Sequence, residues 1–228
     1  MGSVFGKISE ETPHFESVAH IGDNKDIEIR RYDPLFVASV SSKDVPDATT
    51  QEEFTGVAFR TLAKYIGVFT TPENKPRSGE SGPGEAIAMT APVVLNSNEN
   101  MAAEGGQPIA MTAPVVMGGT SSVDSTMSFI LPSKFIKAGE LPPIPLDPKV
   151  HITKLPSRLV AVKTFSGNLS KAAATAVATE ALAILEKEPK YTVKLNEEGK
   201  PVWEYMGYNA PWTLPWCKTN EVAVILNE

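Results

Sequence analysis

The sequence predicts a single α+β domain in which a curved antiparallel sheet, or an open barrel, is flanked by two long helices. Several short segments alternate apolar and polar residues, which is typical of strands with one buried face. Two longer segments instead place apolar residues three or four positions apart, as amphipathic helices do. The segments occur twice in the same order, and the dipeptide VA at 37–38 recurs at 160–161. We therefore expect two similar halves, about 20–140 and 149–228, within one domain.

The first half begins with two predicted strands and a helix. Residues 26–32, DIEIRRY, alternate apolar and polar side chains, and residues 35–40, LFVASV, are rich in strand-forming types. Only Asp33-Pro34 separates the two segments, which are expected to form a hairpin. Residues 52–69 then change to helical spacing. This helix is expected to bury Phe54, Ala58, Leu62, Tyr65 and Phe69.

The second half repeats this order. Residues 150–154 and 159–165 are predicted strands, and Asn168 or Ser170 is expected to cap a helix that runs to about Glu188. A final hairpin is predicted from residues 191–195 and 202–208.

The octapeptide IAMTAPVV occurs twice, at 87–94 and at 109–116. One hypothesis makes Met89 and Met111 thioether ligands of a heme iron. The simpler interpretation is that each copy is a strand whose methionine fills the core. Two identical strands joined by a polar loop can pair as a hairpin, which we favour, or compete for one position in the sheet.

Composition argues against several classes of partner. Acidic residues outnumber basic ones, 27 against 21, and the net charge of -6 disfavours binding to nucleic acid or to an anionic membrane. No apolar run approaches the roughly 18 residues of a membrane span. The single cysteine, Cys217, cannot form an internal disulfide, and residues 1–19, an expected N-terminal extension, do not resemble a signal peptide. A cytoplasmic protein is expected.

Familiar catalytic and metal-binding motifs are absent from the sequence. The three histidines, His14, His20 and His151, do not have the spacing of zinc or iron ligands. A nucleophile elbow, a phosphate loop and a dinucleotide fingerprint are also missing. We therefore expect neither a metal site nor a set of catalytic residues.

The first predicted helix carries a second stripe opposite its apolar one. This stripe consists of Gly56, Phe59, Ala63 and Gly67. Arg60 and Lys64 lie beside it, one turn apart. Small side chains would let a flat apolar ligand approach closely, and the two cations would meet its acidic groups. The same residues could also simply face solvent, because much of any protein surface is apolar.

The C-terminal segment 208–222, YNAPWTLPWCKTNEV, combines prolines with Trp212, Trp216 and Lys218. A stiff loop with two tryptophans is expected to form either a lid over the core or the wall of a pocket.

Six motifs follow one another between about residue 20 and the end of the chain: IEIRRYDP, AKYIGVF, AMTAPV, FILPSKF, LVAVKTFSG and NAPWTLPWCKTNEV. Together they resemble the SOUL heme-binding protein family, especially its cytosolic plant and algal members. The resemblance implies two similar halves that form a distorted eight-stranded antiparallel β-barrel with two long helices. It also implies noncovalent binding of heme or another tetrapyrrole, often without a strong axial ligand, in an apolar cleft beside the first helix.

The resemblance further implies that basic residues meet the ligand's carboxylates. The family's helix lysine corresponds to Lys64, and an arginine two turns earlier is replaced by Gly56. A tail lysine falls near Thr213 or Leu214, where Lys218 can stand in for it. The expected cofactor-binding residues are Gly56, Phe59, Arg60, Leu62, Ala63, Lys64, Trp212 and Lys218.

The sequence therefore predicts a reversible carrier or buffer of heme or its precursors, without catalysis. An enzyme acting on a tetrapyrrole or another flat apolar substrate is the alternative. A third hypothesis is a protein-interaction module that docks through the helix face or the tryptophan-rich tail.

Overall fold

The computed structural model of the chain describes residues 6–68, 70–77, 83–96, 125–210 and 212–227. The strands are β1 Phe15–Ile21, β2 Ile27–Tyr32, β3 Leu35–Ser41, β4 Asn74–Lys75, β5 Val93–Asn96, β6 Thr126–Ile130, β7 Ile144–Pro145, β8 His151–Leu155, β9 Arg158–Phe165, β10 Trp203–Gly207 and β11 Asn220–Ile225. The helices are α1 Gln51–Ile66, α2 Lys134–Lys137 and α3 Lys171–Leu185.

The main sheet confirms the predicted antiparallel α+β fold and its internal repeat. Within the described residues, its nine strands follow the order β1-β2-β9-β11-β10-β5-β6-β3-β8 and curl into a half-barrel, while β4 and β7 form a separate pair. The order is symmetric about the central β10–β5 pair. On one side of this pair lie β11, β9 and then β2, which comes from the first half of the chain. On the other side lie β6, β3 and then β8, which comes from the second half. Eight strands are thus related by a pseudo-twofold axis. The N-terminal strand β1 is added outside β2.

The predicted hairpin between β2 and β3 is wrong. β2 pairs with β1 and β9, whereas β3 pairs with β6 and β8. A tight two-residue hairpin favours positive φ at its turn, but Pro34 is restricted to φ near -65°. Each half therefore contributes its first strand to the sheet of the other half, and the two halves are interlocked.

Two other strand predictions also change. Residues 191–195 form only isolated bridges, Val193 with Leu226 and Leu195 with Pro201, instead of a strand of the final hairpin. In the first octapeptide the strand begins only at Val93, after the cis bond between Ala91 and Pro92. The second octapeptide copy, and with it the predicted hairpin between the copies, lies outside the described residues.

Both long helices pack on the outer face of the sheet, and local signals explain their bounds. Thr50 and Glu53 form a capping box at the start of α1, and Gly67 ends the helix with φ of 82°. Ser170, one of the two predicted caps, caps α3, which ends earlier than expected. The predicted stripe of α1 is confirmed for Phe54, Ala58, Leu62 and Tyr65, all of which are buried, while Phe69 lies outside the described residues. No helix in the described part of the chain combines the length and apolar character that a membrane span requires.

The inner face of the half-barrel combines apolar residues with two buried ion pairs. Arg30 donates to both carboxylate oxygens of Glu221, at 3.0 and 3.1 Å, and Tyr208 also donates to this carboxylate. Burial is the largest single effect and lowers the pKa of Arg30, but the Glu221 carboxylate, Tyr32 and Glu28 together outweigh it, so the pKa is raised. Burial and the same carboxylate raise the pKa of Tyr208. Because both pKa values are raised, the Arg30 guanidinium stays charged and the Tyr208 hydroxyl stays neutral.

The second ion pair joins Arg158 to Glu204. The guanidinium donates to the two carboxylate oxygens at 3.0 and 2.6 Å, and the Glu204 side chain is 1% exposed. Neither charge can be removed alone without leaving its partner buried and uncompensated.

We expect Glu204→Gln to lower the free energy of unfolding by roughly 3–5 kcal/mol, because the Arg158 charge loses its counter-ion in a buried position. Urea unfolding at pH 7 measures the change. The matched control is Glu198→Gln, which breaks an exposed pair with Lys200 of the same 2.6 Å length. Equal effects of the two substitutions would contradict the structural role of the inner pair.

Tyr205 on the outer face of β10 provides a pH-dependent prediction. Burial raises the pKa of Tyr205 to about 12 from 10.0, so the folded protein retains a proton that the unfolded chain loses. The resulting stability is fully present below pH 10 and is lost as pH rises toward 12. Tyr205→Phe should therefore flatten the alkaline decline of the unfolding free energy and leave it nearly unchanged at pH 7. An alkaline decline as steep as that of the unmodified protein would contradict this assignment.

Candidate functional site

A pocket of about 290 Å³ lies beside α1 and is built from four separate parts of the chain. They are α1 with the residue after its C-terminal cap, the first octapeptide, the end of β10 with the segment that follows it, and the N-terminal segment. The lining residues are Lys7, Glu10, Phe59, Val68, Met89, Thr90, Ala91, Val93, Gly207, Tyr208, Asn209, Ala210 and Trp212. Most of the side chains are apolar or aromatic, so the pocket suits a largely apolar ligand.

The end of α1 positions one wall of this pocket. Gly67 adopts φ of 82°, and a side chain there would also meet Pro72, whose Cγ would lie 2.5 Å from the added Cβ. Glycine is therefore required on both conformational and steric grounds. The sharp ending of the helix brings Val68 to the pocket and reverses the chain direction.

Asn74 ties the chain that follows α1 to the helix and to the octapeptide. Its amide nitrogen donates to the carbonyl oxygens of Tyr65, at 2.7 Å, and Glu85, at 2.8 Å. Its amide oxygen accepts from the Glu85 N–H at 2.8 Å. Ile87 N–H then donates to Ile66 O at 3.0 Å. This buried clamp holds the segment that leads to Met89 against the end of α1.

Two aromatic residues on different elements form the side walls. Phe59 packs edge-on against Phe129 of β6, with ring centroids 5.4 Å apart, which fixes its orientation. Trp212, by contrast, is 68% exposed. The segment before Trp212 is anchored by Asn209, which donates to Gly6 O at 3.1 Å and accepts from Thr219 N–H at 2.6 Å. Phe59 is thus held in place by Phe129, whereas the ring of Trp212 is accessible to solvent.

The structure brings together only two of the predicted site residues, Phe59 and Trp212. Leu62 and Ala63 are buried and do not line the pocket. The Arg60 guanidinium lies over Gly56, where an added Cβ would be 3.5 Å from Nη1.

The two predicted lysines lie outside the pocket lining. Lys64 forms an ion pair with Glu73 at 3.5 Å, and Lys218 donates to Asn168 at 3.1 Å. The helix face predicted from the sequence is therefore divided between core, solvent and pocket.

Sequence reasoning missed Lys7 and placed Met89 in the core. Met89 is 37% exposed because residues 87–92 do not form the strand that alternation predicts. The sequence connected Met89 with a ligand only through the hypothesis that its thioether binds a heme iron. Lys7 lies in the N-terminal segment, where no pattern distinguishes it from other exposed lysines.

The rim of the pocket carries charges of both signs. Lys7 provides a cation and Glu10 an anion. Burial by itself raises the pKa of Glu10, but hydrogen bonds from Ser9 and from backbone N–H groups lower it overall, so the carboxylate is ionised near neutral pH. An anionic group of a ligand is therefore expected to approach from the Lys7 side.

A larger groove of about 750 Å³ lies on the other side of Thr90, which lines both cavities. Glu11, Lys137 and the His14–Asp33 pair, whose Nδ1 and Oδ2 are 2.8 Å apart, line this groove. Among its described lining residues, the His14 imidazole is the only aromatic ring. Across the described residues, no three His, Cys, Asp or Glu side chains converge as metal ligands would.

Comparison with known proteins identifies a family that covers most of the chain. A family model described as SOUL heme-binding protein matches residues 10–225. Comparison with curated protein sequences finds no significant match.

Among solved structures, similar ones include a hydrolase from Listeria innocua, with 10% identity and a TM-score of 0.47 over 89% of this chain and 92% of that chain. An uncharacterized conserved protein from the same organism has 9% identity and a TM-score of 0.49 over the same shares. A putative bacterial transcription regulation protein from Staphylococcus aureus MU50 has 12% identity and a TM-score of 0.41 over 89% and 98%.

We expect Asn74→Ala to lower the free energy of unfolding by roughly 2–4 kcal/mol, because buried backbone groups of Tyr65 and Glu85 lose their partners. Amide hydrogen exchange at Glu85 and Ile87 should become faster, since the clamp on the octapeptide is lost. Asn227→Ala, which removes an exposed 3.5 Å contact to Val193 O, is the control. Unchanged exchange at both amides in the Asn74 variant would show that the clamp does not hold this segment.

Proposed function

Because the chain belongs to the SOUL heme-binding protein family, we propose that it reversibly binds heme or another tetrapyrrole in the pocket beside α1. The observation that carries the proposal is the meeting of Phe59 and Trp212 in one apolar pocket on the predicted helix. Residues far apart in the sequence thus create aromatic walls for a flat ligand. The proposed role is that of a noncovalent carrier or buffer in the cytoplasm.

The lining fits the chemistry of a tetrapyrrole macrocycle. Phe59 and Trp212 supply ring contacts, and Val68, Met89 and Val93 supply aliphatic and thioether surface. The volume of about 290 Å³ lies at the lower limit of ligand pockets, roughly 300–1,000 Å³. We infer that part of the macrocycle projects beyond the rim, where Trp212 and Met89 are exposed.

Basic side chains around the pocket would bind the ligand's carboxylates. Lys7 lies directly at the rim. Lys64 and Arg60 lie on the adjoining exposed row of α1, and the Lys64 ion pair with Glu73 is half-exposed and therefore weak. We propose Lys7 as the first contact and Lys64 and Arg60 as secondary contacts, with Lys218 more distant. Leu62 and Ala63 support the helix wall from the core side.

We propose that burial of the macrocycle and contacts to its carboxylates dominate the affinity, with little contribution from iron. Met89 is the one soft ligand among the pocket residues, and a thioether binds heme iron in some proteins. Replacement of Met89 by leucine preserves the side-chain volume and removes the sulfur. This substitution therefore separates the contribution of iron ligation to the affinity from that of macrocycle burial.

The decisive experiment titrates the protein with hemin and with metal-free protoporphyrin and follows ligand absorbance and tryptophan fluorescence. We expect similar dissociation constants for the two ligands. Trp212→Ala should weaken both by about tenfold, or about 1.4 kcal/mol, because an aromatic wall is lost. Lys7→Glu should weaken both by about fivefold through repulsion of the carboxylates.

Matched controls locate the site. Trp216→Ala removes a tryptophan of similar exposure, 72%, that does not line the pocket, and should leave the affinity unchanged. Lys137→Glu tests the larger groove in the same way. A loss of affinity with Lys137→Glu but not with Lys7→Glu would move the site to the groove. A preference for hemin that disappears with Met89→Leu would instead show sulfur ligation, and no binding of either porphyrin would refute the proposed function.

A further inference from the structure

The two halves can be aligned position by position on the inner face of the sheet. Val37 of β3 matches Val160 of β9. Val37 lies opposite Thr153 of β8, and Val160 lies opposite Arg30 of β2. Thr153 therefore occupies in the first half the position that Arg30 occupies in the second.

The partner of Arg30 has an equivalent in the same way. Glu221 lies opposite Thr164 of β9, and Thr126 lies opposite Ser41 of β3. Because Ser41 and Thr164 are equivalent positions, Thr126 corresponds to Glu221. The buried ion pair of the second half is thus replaced by two threonines in the first.

This replacement leaves a cavity of about 170 Å³ inside the first half. Its lining residues are Leu35, Val37, Ser39, Ser41, Val94, Asn96, Thr126, Ser128, Ile130, His151, Thr153, Leu155, Arg158 and Glu204. Twelve of the fourteen come from inward positions of β3, β5, β6 and β8, and Arg158 and Glu204 come from the second half. None of them lines the pocket beside α1.

The lining of the cavity combines hydrogen-bonding groups with apolar side chains. Five hydroxyl groups belong to serines and threonines, and the Ser39 and Ser128 hydroxyls share a hydrogen bond of 2.9 Å. Val37, Ile130 and Leu155 provide the apolar part. A hydroxyl can both donate and accept, so such walls suit a ligand that also carries hydroxyl or amide groups.

The charges of the cavity favour a neutral ligand. Arg158 and Glu204 neutralise each other through two hydrogen bonds. His151 lies at the exposed side and is paired with Asp44 at 3.1 Å. A charged ligand would lose its hydration without gaining a counter-charge inside the barrel.

We propose that this cavity is a second binding site, separate from the tetrapyrrole pocket, for a small neutral molecule with several hydroxyl or amide groups. Its volume equals the liquid-phase share of about five or six water molecules, which suits a small polyol or a simple amide. In the second half, Arg30 and Glu221 occupy the positions equivalent to Thr153 and Thr126, and Tyr208 donates to Glu221.

The test uses the full chain with labelled isoleucine, leucine and valine methyl groups. Erythritol and acetamide are added separately while methyl resonances are followed by NMR. We expect saturable shifts at Val37, Ile130 and Leu155 with at least one probe. A dissociation constant of about millimolar is expected for so small a ligand.

Two variants connect the signal to the cavity. The double change Ser39→Val and Ser128→Ala introduces the residues found at the equivalent positions Val162 and Ala223. It removes both partners of one hydrogen bond, so no buried polar group is stranded. The double change Thr153→Arg and Thr126→Glu instead fills the cavity with the ion pair of the second half. Binding should weaken about tenfold in the first variant and disappear in the second.

Thr179→Val is the control. It removes a hydroxyl group on the exposed face of α3 and should leave probe binding unchanged. Absence of saturable shifts with both probes would show that the cavity holds water only and would overturn the proposal. An unchanged dissociation constant in the Ser39/Ser128 variant would overturn it as well, even if the ion-pair variant does not fold. Hemin binding should be the same in the Ser39/Ser128 variant and the unmodified protein. The hemin titration therefore tests the tetrapyrrole pocket, and the methyl shifts test the inner cavity, independently of each other.

Discussion

The exchange of strands between the two halves is the constraint on which the rest of the structure depends. β2 pairs with β9 and β8 pairs with β3, because a proline in each short connection disfavours a tight hairpin. Neither half can therefore complete its sheet alone. The exchange also brings Arg30 of the first half to Glu221 of the second, where the two charges compensate each other in the interior. Folding of both halves and formation of the ion pair depend on each other.

The two faces of the interlocked sheet consequently have different roles. The outer face is apolar and carries α1 and α3, so most of the apolar surface of α1 belongs to the core. At the edge of that helix, Phe59 and, beyond the glycine cap, Val68 line the pocket beside α1. The N-terminal segment, the octapeptide and the tail loop complete the pocket there. The inner face instead contains ion pairs and hydroxyl groups.

The internal repeat preserves the backbone register but not the side chains. Where the second half has Arg30 and Glu221, the first has Thr153 and Thr126. The small side chains of the first half line a cavity of about 170 Å³ together with Arg158 and Glu204, whereas residues of both halves line the pocket beside α1. The same interlocked backbone thus contains a buried ion pair in one half and a cavity lined by hydroxyl groups in the other.

The sequence by itself determined the elements that depend on near neighbours: the strand at Ile27–Tyr32, the buried stripe of α1 and a start of α3 at Asn168 or Ser170, of which the structure shows Ser170. Alternation, helical spacing and capping act over a few residues, which makes them visible in one chain. Tertiary structure alone decided the strand partners, the exposure of Met89 and the place of Lys7 in the pocket instead of Lys64. These depend on contacts between residues far apart in the chain, and the local pattern is the same whichever contacts form.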